Sequence, residues 1–280
     1  MKAPSFFAGA LASISSLSSP LVTTSLRNSY ELIQNAVGKK EKEFTAYLKE
    51  NKMFWELAEA SYTLPYFKNM FEREAFFEIV AKGCFPLTPI AAYLLLKISE
   101  AAVQNERTVF TFLTNEEPNS LPDVLQKNTT TKDGFVTAGR IYFYHIFKGD
   151  SQNARFHNEW LKAEYALTKD LTKEEQELIK TLALVQMVGQ ADDMFARDEI
   201  LQNGAGFTKE VYEKTIAALR EKQIVLFRTK KRMYAFKNNI GVNVEQEIDQ
   251  VIQKKLQRID LCQELARLSE LEYELPKRYN

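Results

Sequence analysis

The segment from Leu171 to Lys237 carries the signals that most restrict how this chain can fold. Thr172 and Glu175 stand three residues apart at the start of a run with helical periodicity, and this spacing predicts a capping box. Thr208 predicts the N-cap of a later helix in the same way. We therefore expect a helix over 173–189, a short helix over roughly 194–202 that ends at Asn203-Gly204, and a helix over 209–223.

Two short strands are predicted after these helices. Residues 224–228 and 233–236 alternate in the manner of strands, and Thr229-Lys230-Lys231-Arg232 stands between them as a turn. Three helices followed by a hairpin predict a winged helix-turn-helix. A long helix is expected after it, over 244–271.

The rest of the chain has mostly helical periodicity, so we predict a mainly α protein: a helical bundle, then the winged helix with its short β-hairpin, then the long C-terminal helix. Thr88 and Pro89 mark the start of one apolar helix, as N-cap and first helical residue. The other expected elements are a surface helix over 26–50, a helix over 73–83 that stops at Gly83, a polar loop over 114–134, and helices over 137–149 and 151–167.

The first 20 residues fit two interpretations. A lysine followed by an apolar run resembles a weak signal peptide, but serines interrupt the run and its period fits an amphipathic helix. We favour a packing helix. No run of about 18 apolar residues exists, so no membrane span is expected.

Composition restricts the function. Lys+Arg and Asp+Glu both number 37, so no global field draws the chain to nucleic acid, and any basic surface is local. Cys84 and Cys262 form no metal-ligand spacing and suggest a reduced, cytoplasmic compartment. His145 and His157 are too few for most histidine-based sites. We find no P-loop and no motif of a hydrolase or metalloprotease, so we predict no catalytic residue, no metal site and no complete enzyme in this chain alone.

Residues 208–237 hold a local excess of positive charge. Nine basic residues against three acidic ones leave a net charge of plus six. The wing could contact phosphates while the third helix enters a groove. The candidate DNA-binding residues are Lys209, Lys214, Arg228, Lys230, Lys231 and Arg232. The alternative is a packing or protein-contact module whose wing tip is merely solvated, with Lys214 and Lys222 paired to nearby glutamates.

A polar block, residues 104–107, separates two apolar helices. Asn105 can cap the second helix, and Glu106 suits the positive end of its dipole, whereas Arg107 does not. Arg107 either pairs with Glu106, Glu100 or another carboxylate and pins the two helices, or it binds a phosphate or an acidic partner.

Residues 82–113 resemble a stretch that follows the nucleotide-binding core in large bacterial P-loop ATPases of the AAA+ or STAND type, several of them associated with defence or stress genes. The resemblance rests on Pro86-Leu87-Thr88-Pro89 and on the block Gln104-Asn105-Glu106-Arg107-Thr108-Val109-Phe110-Thr111-Phe112-Leu113. The helix over 137–147 and the winged helix follow in the order expected, so that the resemblance covers most of residues 75–275.

This resemblance implies a lid-like helical domain over 1–134, linking helices over 135–170, a winged helix over 171–240 and a C-terminal helix over 241–280. It also implies nucleotide-sensing roles: Gly83 and Pro86 in the turn that touches the adenine, and Arg107 as phosphate sensor. Because Walker A and Walker B are absent, ATP and magnesium are implied only through a P-loop core in cis or in trans, and the chain looks like a fragment or the product of a split gene. The alternative is a stand-alone winged-helix DNA-binding regulator.

Overall fold

The computed structural model describes residues 26–101, 105–127, 130–131, 133–147, 154–188 and 194–237. These residues are mainly helical, with one two-stranded antiparallel hairpin. The predicted helices over 1–20 and 244–271 lie outside the described residues, and the predicted domain boundaries stay predictions. Of the helices in the described ranges, none has the length and apolar character that crossing a membrane requires.

The elements follow one another in short steps along the chain. The helices are α1 (Leu26–Ala36), α2 (Glu41–Glu50), α3 (Lys52–Tyr62), α4 (Pro65–Met70), α5 (Arg73–Ala75), a π-helix (Phe76–Gly83), α6 (Pro89–Ala101), α7 (Asn105–Thr114), α8 (Leu121–Gln126), α9 (Ala138–Phe147), α10 (Ala154–Leu167), α11 (Lys173–Val188), α12 (Asp198–Ala205) and α13 (Lys209–Glu221). The strands are β1 (Val225–Arg228) and β2 (Met233–Phe236).

Helix α6 runs through the centre of the core. It is apolar on nearly every side, as a helix buried all round has to be. It packs against α3, α7, α9, α11, α12 and the π-helix. Its predicted start is confirmed, because Thr88 Oγ1 accepts a hydrogen bond from the Ala91 N–H at 3.1 Å and Pro89 is the first helical residue.

The prediction of one surface helix over 26–50 is wrong. The chain forms two helices there, α1 and α2, separated around Gly38. Tyr30 and Ile33 are fully buried, and the Tyr30 hydroxyl donates to the Tyr66 hydroxyl at 3.3 Å. A glycine favours a break within a helical pattern, and burial of α1 against the π-helix then decides its orientation.

The prediction of a polar loop over 114–134 is also wrong in part. Helix α8 lies inside it, with Ser120 as the N-cap, Asp123 N–H donating to Ser120 Oγ at 3.4 Å, and buried Leu121 and Val124. Serine followed by proline and aspartate in the first turn is a helix-start signal. Prolines are also typical of loops, so the same residues are compatible with the loop that we predicted.

The predicted capping box of α11 is confirmed. The Thr172 N–H donates to Glu175 Oε2 at 2.7 Å, and the Glu175 N–H donates to Thr172 Oγ1 at 3.2 Å. The cap of α13 is confirmed as well, with the Val211 N–H donating to Thr208 Oγ1 at 3.4 Å. The two strands have the predicted bounds to within one residue.

The bounds predicted for the short helix before α13 are wrong by several residues. Helix α12 begins at Asp198 and ends at Ala205, and Gly206 rather than Gly204 takes the left-handed position, with φ 66°. Gly204 lies inside the helix, where an added Cβ would stand 2.8 Å from Thr181 Cγ2. The first glycine therefore permits close packing on α11, and the second ends the helix.

Candidate nucleic-acid interface

The hairpin turn places a group of cations in solvent. The ladder pairs Val225 with Phe236 and closes at Arg228 and Met233. The Lys231 N–H donates to the Arg228 carbonyl at 3.1 Å, and the Arg232 N–H to the Thr229 carbonyl at 3.3 Å. Every residue from 227 to 232 is exposed. We call Arg228, Lys230, Lys231 and Arg232 the basic turn.

Arg232 has a backbone conformation that an arginine rarely adopts. Its φ is 48°, in the left-handed region that glycine and asparagine tolerate best. A non-glycine residue there costs on the order of 1 kcal/mol. Asn119 and Gln223 also have positive φ among the described residues, and Arg232 is the charged one of the three.

The hairpin that carries the basic turn is anchored at its other end. Strand β2 is buried along its whole length. The Tyr234 N–H donates to the Ala196 carbonyl at 2.7 Å, and Gln186 Nε2 donates to the Tyr234 carbonyl at 3.2 Å. The Tyr212 hydroxyl donates to Asp198 Oδ1 at 2.8 Å, and burial together with this bond holds the pKa of Tyr212 well above its usual range. The turn therefore extends from a fixed base.

Helix α13 carries less net charge than the turn. Lys209 and Lys214 are exposed, but so are Glu210, Glu213 and Glu221, and Lys209 Nζ lies 3.9 Å from Glu213 Oε1. The positive charge that the sequence assigned to the whole unit is thus concentrated at the basic turn.

Lys222 is an exposed residue whose ammonium group reaches a buried carboxylate. Its Nζ lies 2.7 Å from Oε2 of the buried Glu175 and donates to the Asp170 carbonyl at 2.9 Å. The predicted pairing with a glutamate is confirmed for this lysine, which joins the end of α13 to the cap of α11.

A cavity of about 190 Å³ lies beside the basic turn, between α10, α11 and the hairpin. Arg228, Gln186, Lys162 and Glu159 contribute polar groups to its wall. Lys162 Nζ donates to Glu159 Oε1 at 2.5 Å, and the other carboxylate oxygen is buried without a hydrogen-bond partner among the described residues. Arg228 therefore belongs both to the basic turn and to a polar cavity.

Gly83 and Pro86, the residues that the resemblance connects with adenine, lie at the end of the π-helix and in the turn after it. Both are buried. The Gly83 carbonyl accepts from Lys39 Nζ at 2.7 Å, and the Pro86 carbonyl accepts from the Val136 N–H at 2.8 Å. Between them Phe85, with a cis bond to Pro86, packs into the aromatic core. Their nucleotide-sensing roles stay predictions.

Arg107 lies in the first turn of α7, whose start at Asn105 is where the sequence places the junction between two helices. The cap by the Asn105 side chain and the partner of Arg107 fall outside the described side chains, so both stay predictions.

A second cavity, of about 680 Å³, was not predicted from the sequence. It lies between α2 and the π-helix, and Lys39, Phe44, Trp55, Lys82 and Gly83 contribute to its wall. Its wall comes from four separate stretches of chain, so no single motif marks it; a tryptophan exposed on an otherwise amphipathic helix was the one available signal.

Within the described ranges, no three His, Cys, Asp or Glu side chains come together in a way that could hold a metal ion. Comparison with known proteins finds no matching family model, no similar curated protein and no similar solved structure.

Proposed function

We propose that residues 171–237 form a winged helix that binds DNA through phosphate contacts made by the basic turn. The observation that carries this proposal is the exposed turn itself: four cations in five residues, on an anchored hairpin, with Arg232 in a conformation that its own backbone disfavours. Lysine and arginine side chains supply most phosphate contacts in protein–DNA complexes.

The chemistry of the unit favours binding without base specificity. The exposed face of α13 mixes lysines with three glutamates, which would stand against the negative backbone of DNA. The whole chain has a net charge of zero, so no long-range field assists the turn. Binding is therefore local, modest and strongly dependent on salt.

The test is a salt titration of duplex DNA affinity. Replacing Arg228, Lys230, Lys231 and Arg232 by alanine should weaken binding and flatten the salt dependence by about 0.9 in log–log slope for each phosphate that is no longer contacted. The control variant removes the same amount of positive charge elsewhere in the chain. It has alanine at four exposed lysines: Lys40, Lys42, Lys52 and Lys68. Equal losses in both variants, or no salt-sensitive binding by the unmodified protein at low ionic strength, would overturn the proposal.

We also propose, as a second function, that the chain is a non-catalytic lid and winged-helix segment of a bacterial P-loop ATPase, which acts with a core in cis or in trans. Its support is the resemblance together with one structural observation: α7 starts at Asn105 and has Arg107 in its first turn. ATP and magnesium would be held by the core, and Arg107 would contact a phosphate or an acidic group across the interface.

The replacement Arg107→Ala distinguishes two roles of this residue: a sensor of phosphate in the ATPase core, and a pin that joins two helices of this chain through an ion pair. A sensor should leave the melting temperature of this chain nearly unchanged and lower nucleotide turnover when the core is present. A pin should lower the melting temperature by several degrees and leave turnover per folded molecule normal. A reading frame for a P-loop core next to this one is the first observation to seek; an independent promoter and an operator-like site favour a stand-alone regulator instead.

A further inference from the structure

We infer that the cavity between α2 and the π-helix is a binding site for a small organic anion with a flat aromatic ring, with the ring against Trp55 and the anionic group toward Lys39. We call this cavity the Lys39 groove. Val37, Phe44 and Leu48 add apolar wall, and Lys82 and Gly83 line its other side. Its volume of about 680 Å³ falls within the roughly 300–1,000 Å³ of small-molecule sites.

The π-helix on one side of the groove is unusual. Eight residues, Phe76–Gly83, adopt this conformation, whereas π-helices are rare and occur often at functional sites. Its last residue has to be glycine, because a Cβ at Gly83 would stand 2.9 Å from the Glu78 carbonyl oxygen and 3.0 Å from Gln34 Cγ. The backbone of Gly83 is thus packed closely, with its carbonyl held by Lys39.

Lys39 is a cation with incomplete solvation. Its Nζ donates to the Gly83 carbonyl at 2.7 Å and to the Val37 carbonyl at 3.3 Å, which uses two of its three N–H groups. Burial lowers the pKa of Lys39 to about 8, while the neighbouring Cys84 thiol, whose burial raises its pKa to about 12, supplies no counter-charge at neutral pH. An anion bound in the groove would supply the counter-charge and the hydrogen-bond acceptor that water supplies to an exposed lysine.

Trp55 presents a fixed ring surface. The indole N–H donates to the Leu48 carbonyl at 2.8 Å, and the indole stacks on Phe77 with centroids 5.9 Å apart and planes 24° from parallel. The residue is still 38% exposed. An aromatic side chain that is already held in place loses little conformational entropy when a second ring stacks on it.

The charges of the wall favour an anion over a cation. Three lysines line the groove, Lys39, Lys49 and Lys82, against two glutamates, Glu41 and Glu78. Lys82 forms an ion pair with Glu78 and lies 5.9 Å from the Trp55 ring centroid. With that pair neutralised, two lysines remain against one glutamate.

A purely structural role for Lys39 makes a different prediction. The Val37 and Gly83 carbonyls belong to the C-terminal ends of α1 and the π-helix, where a cation is favourable. If that were the whole role of Lys39, its replacement would change stability and would leave ligand binding in the groove unaltered.

The experiment is a fluorescence titration of Trp55 in a Trp160→Phe background, with 4-nitrobenzoate as a flat anionic quencher. We expect saturable quenching with a dissociation constant at least tenfold lower than that for the neutral 4-nitrobenzamide. Cyclohexanecarboxylate, an anion without a flat ring, should compete poorly. Replacing Lys39 by methionine should remove the preference for the anion, whereas Lys42→Met, on the exposed side of α2, should leave it unchanged.

Circular dichroism shows whether Lys39→Met folds. Lys39→Arg keeps the cation and is the conservative second variant. If Lys39→Met does not fold, Lys39→Arg together with Lys49→Met decides the matter: the first should retain the preference for 4-nitrobenzoate and the second should reduce it. Linear, unsaturable quenching, equal affinity for the amide, or a preference unchanged in every variant would each overturn the inference. None of these results bears on DNA binding by the basic turn.

Discussion

Two regions of this protein are stabilised in different ways. Residues 26–101 enclose a core of aromatic rings: Phe85 alone lies 5.4 Å from Phe44, 5.1 Å from Tyr47 and 5.9 Å from Phe54, centroid to centroid. Residues 171–237 depend more on caps, turns and one buried carboxylate. The rings of the first region are distant in sequence, whereas the caps that start α11 and α13 in the second are contacts between residues three apart in the chain.

The largest change in the free energy of unfolding is expected when two phenylalanines, one from each region, are compared. Phe85→Ala removes a fully buried ring and should lower the free energy of unfolding by about 3–5 kcal/mol. Phe227→Ala removes a ring that is 38% exposed on the hairpin and should lower it by less than about 1 kcal/mol. Denaturant unfolding of both variants measures the two values. Similar losses would mean that the hairpin ring is as important to stability as the aromatic core.

The next test addresses the buried carboxylate. Lys222→Met leaves Glu175 without the cation that it contacts at 2.7 Å. We expect a loss of about 1–2 kcal/mol, because the capping box still satisfies Glu175 in part and Lys222 is partly solvated. A drop in melting temperature should be restored by the second change Glu175→Gln. An unchanged melting temperature would show that Lys222 contributes nothing to the junction between α11 and α13.

A smaller effect, of opposite sign, is expected in the basic turn. Arg232→Gly relieves a positive φ and should raise the free energy of unfolding by up to about 1 kcal/mol. The same change removes one of the four cations of the basic turn, so the proposed DNA binding should weaken. Arg232→Lys is the matched control that keeps the charge and the strain. A stabilised Arg232→Gly protein with undiminished DNA affinity would remove Arg232 from the interface.

The last test concerns the pH dependence of stability. The folded pKa of Lys39, about 8, lies below the usual 10.5, so between these values the unfolded chain binds more protons and stability from this group rises with pH. Raising the pH from 8 to 10 should therefore increase the unfolding free energy of the unmodified protein relative to that of Lys39→Met. Tyrosines with raised pKa values, such as Tyr30, lower stability at high pH in both proteins and cancel in the difference. A flat difference would contradict the lowered pKa.

Elements that begin with a cap or a tight turn are predicted better than the others. The starts of α11 and α13 and both strands are predicted to within a residue, because a cap or a turn is a contact between neighbours in the chain. The break between α1 and α2, the short α8 and the bounds of α12 are not, since amphipathic periodicity alone does not show which face will be buried or where a weak helix former will end a helix.

The candidate sites divide in the same way. The basic turn was predicted because its four cations are adjacent in sequence. The sequence suggested Lys209 and Lys214 of α13 as equal candidates, and the fold shows that exposed glutamates accompany them, with Lys209 Nζ 3.9 Å from Glu213 Oε1. No continuous motif marks the Lys39 groove in the sequence, because α1, α2, α3 and the π-helix each supply part of it.

The sequence by itself determined the mainly helical character, the caps, the hairpin and the position of its charged turn. These depend on hydrogen bonds and conformational preferences within a few residues of chain. Tertiary structure alone decided that Gly206 rather than Gly204 ends α12, that Phe85 joins four other aromatic rings, and that Lys39 meets the Gly83 carbonyl. Each of these is a matter of contacts between residues far apart in the chain, and such contacts depend on how the helices pack rather than on any one segment.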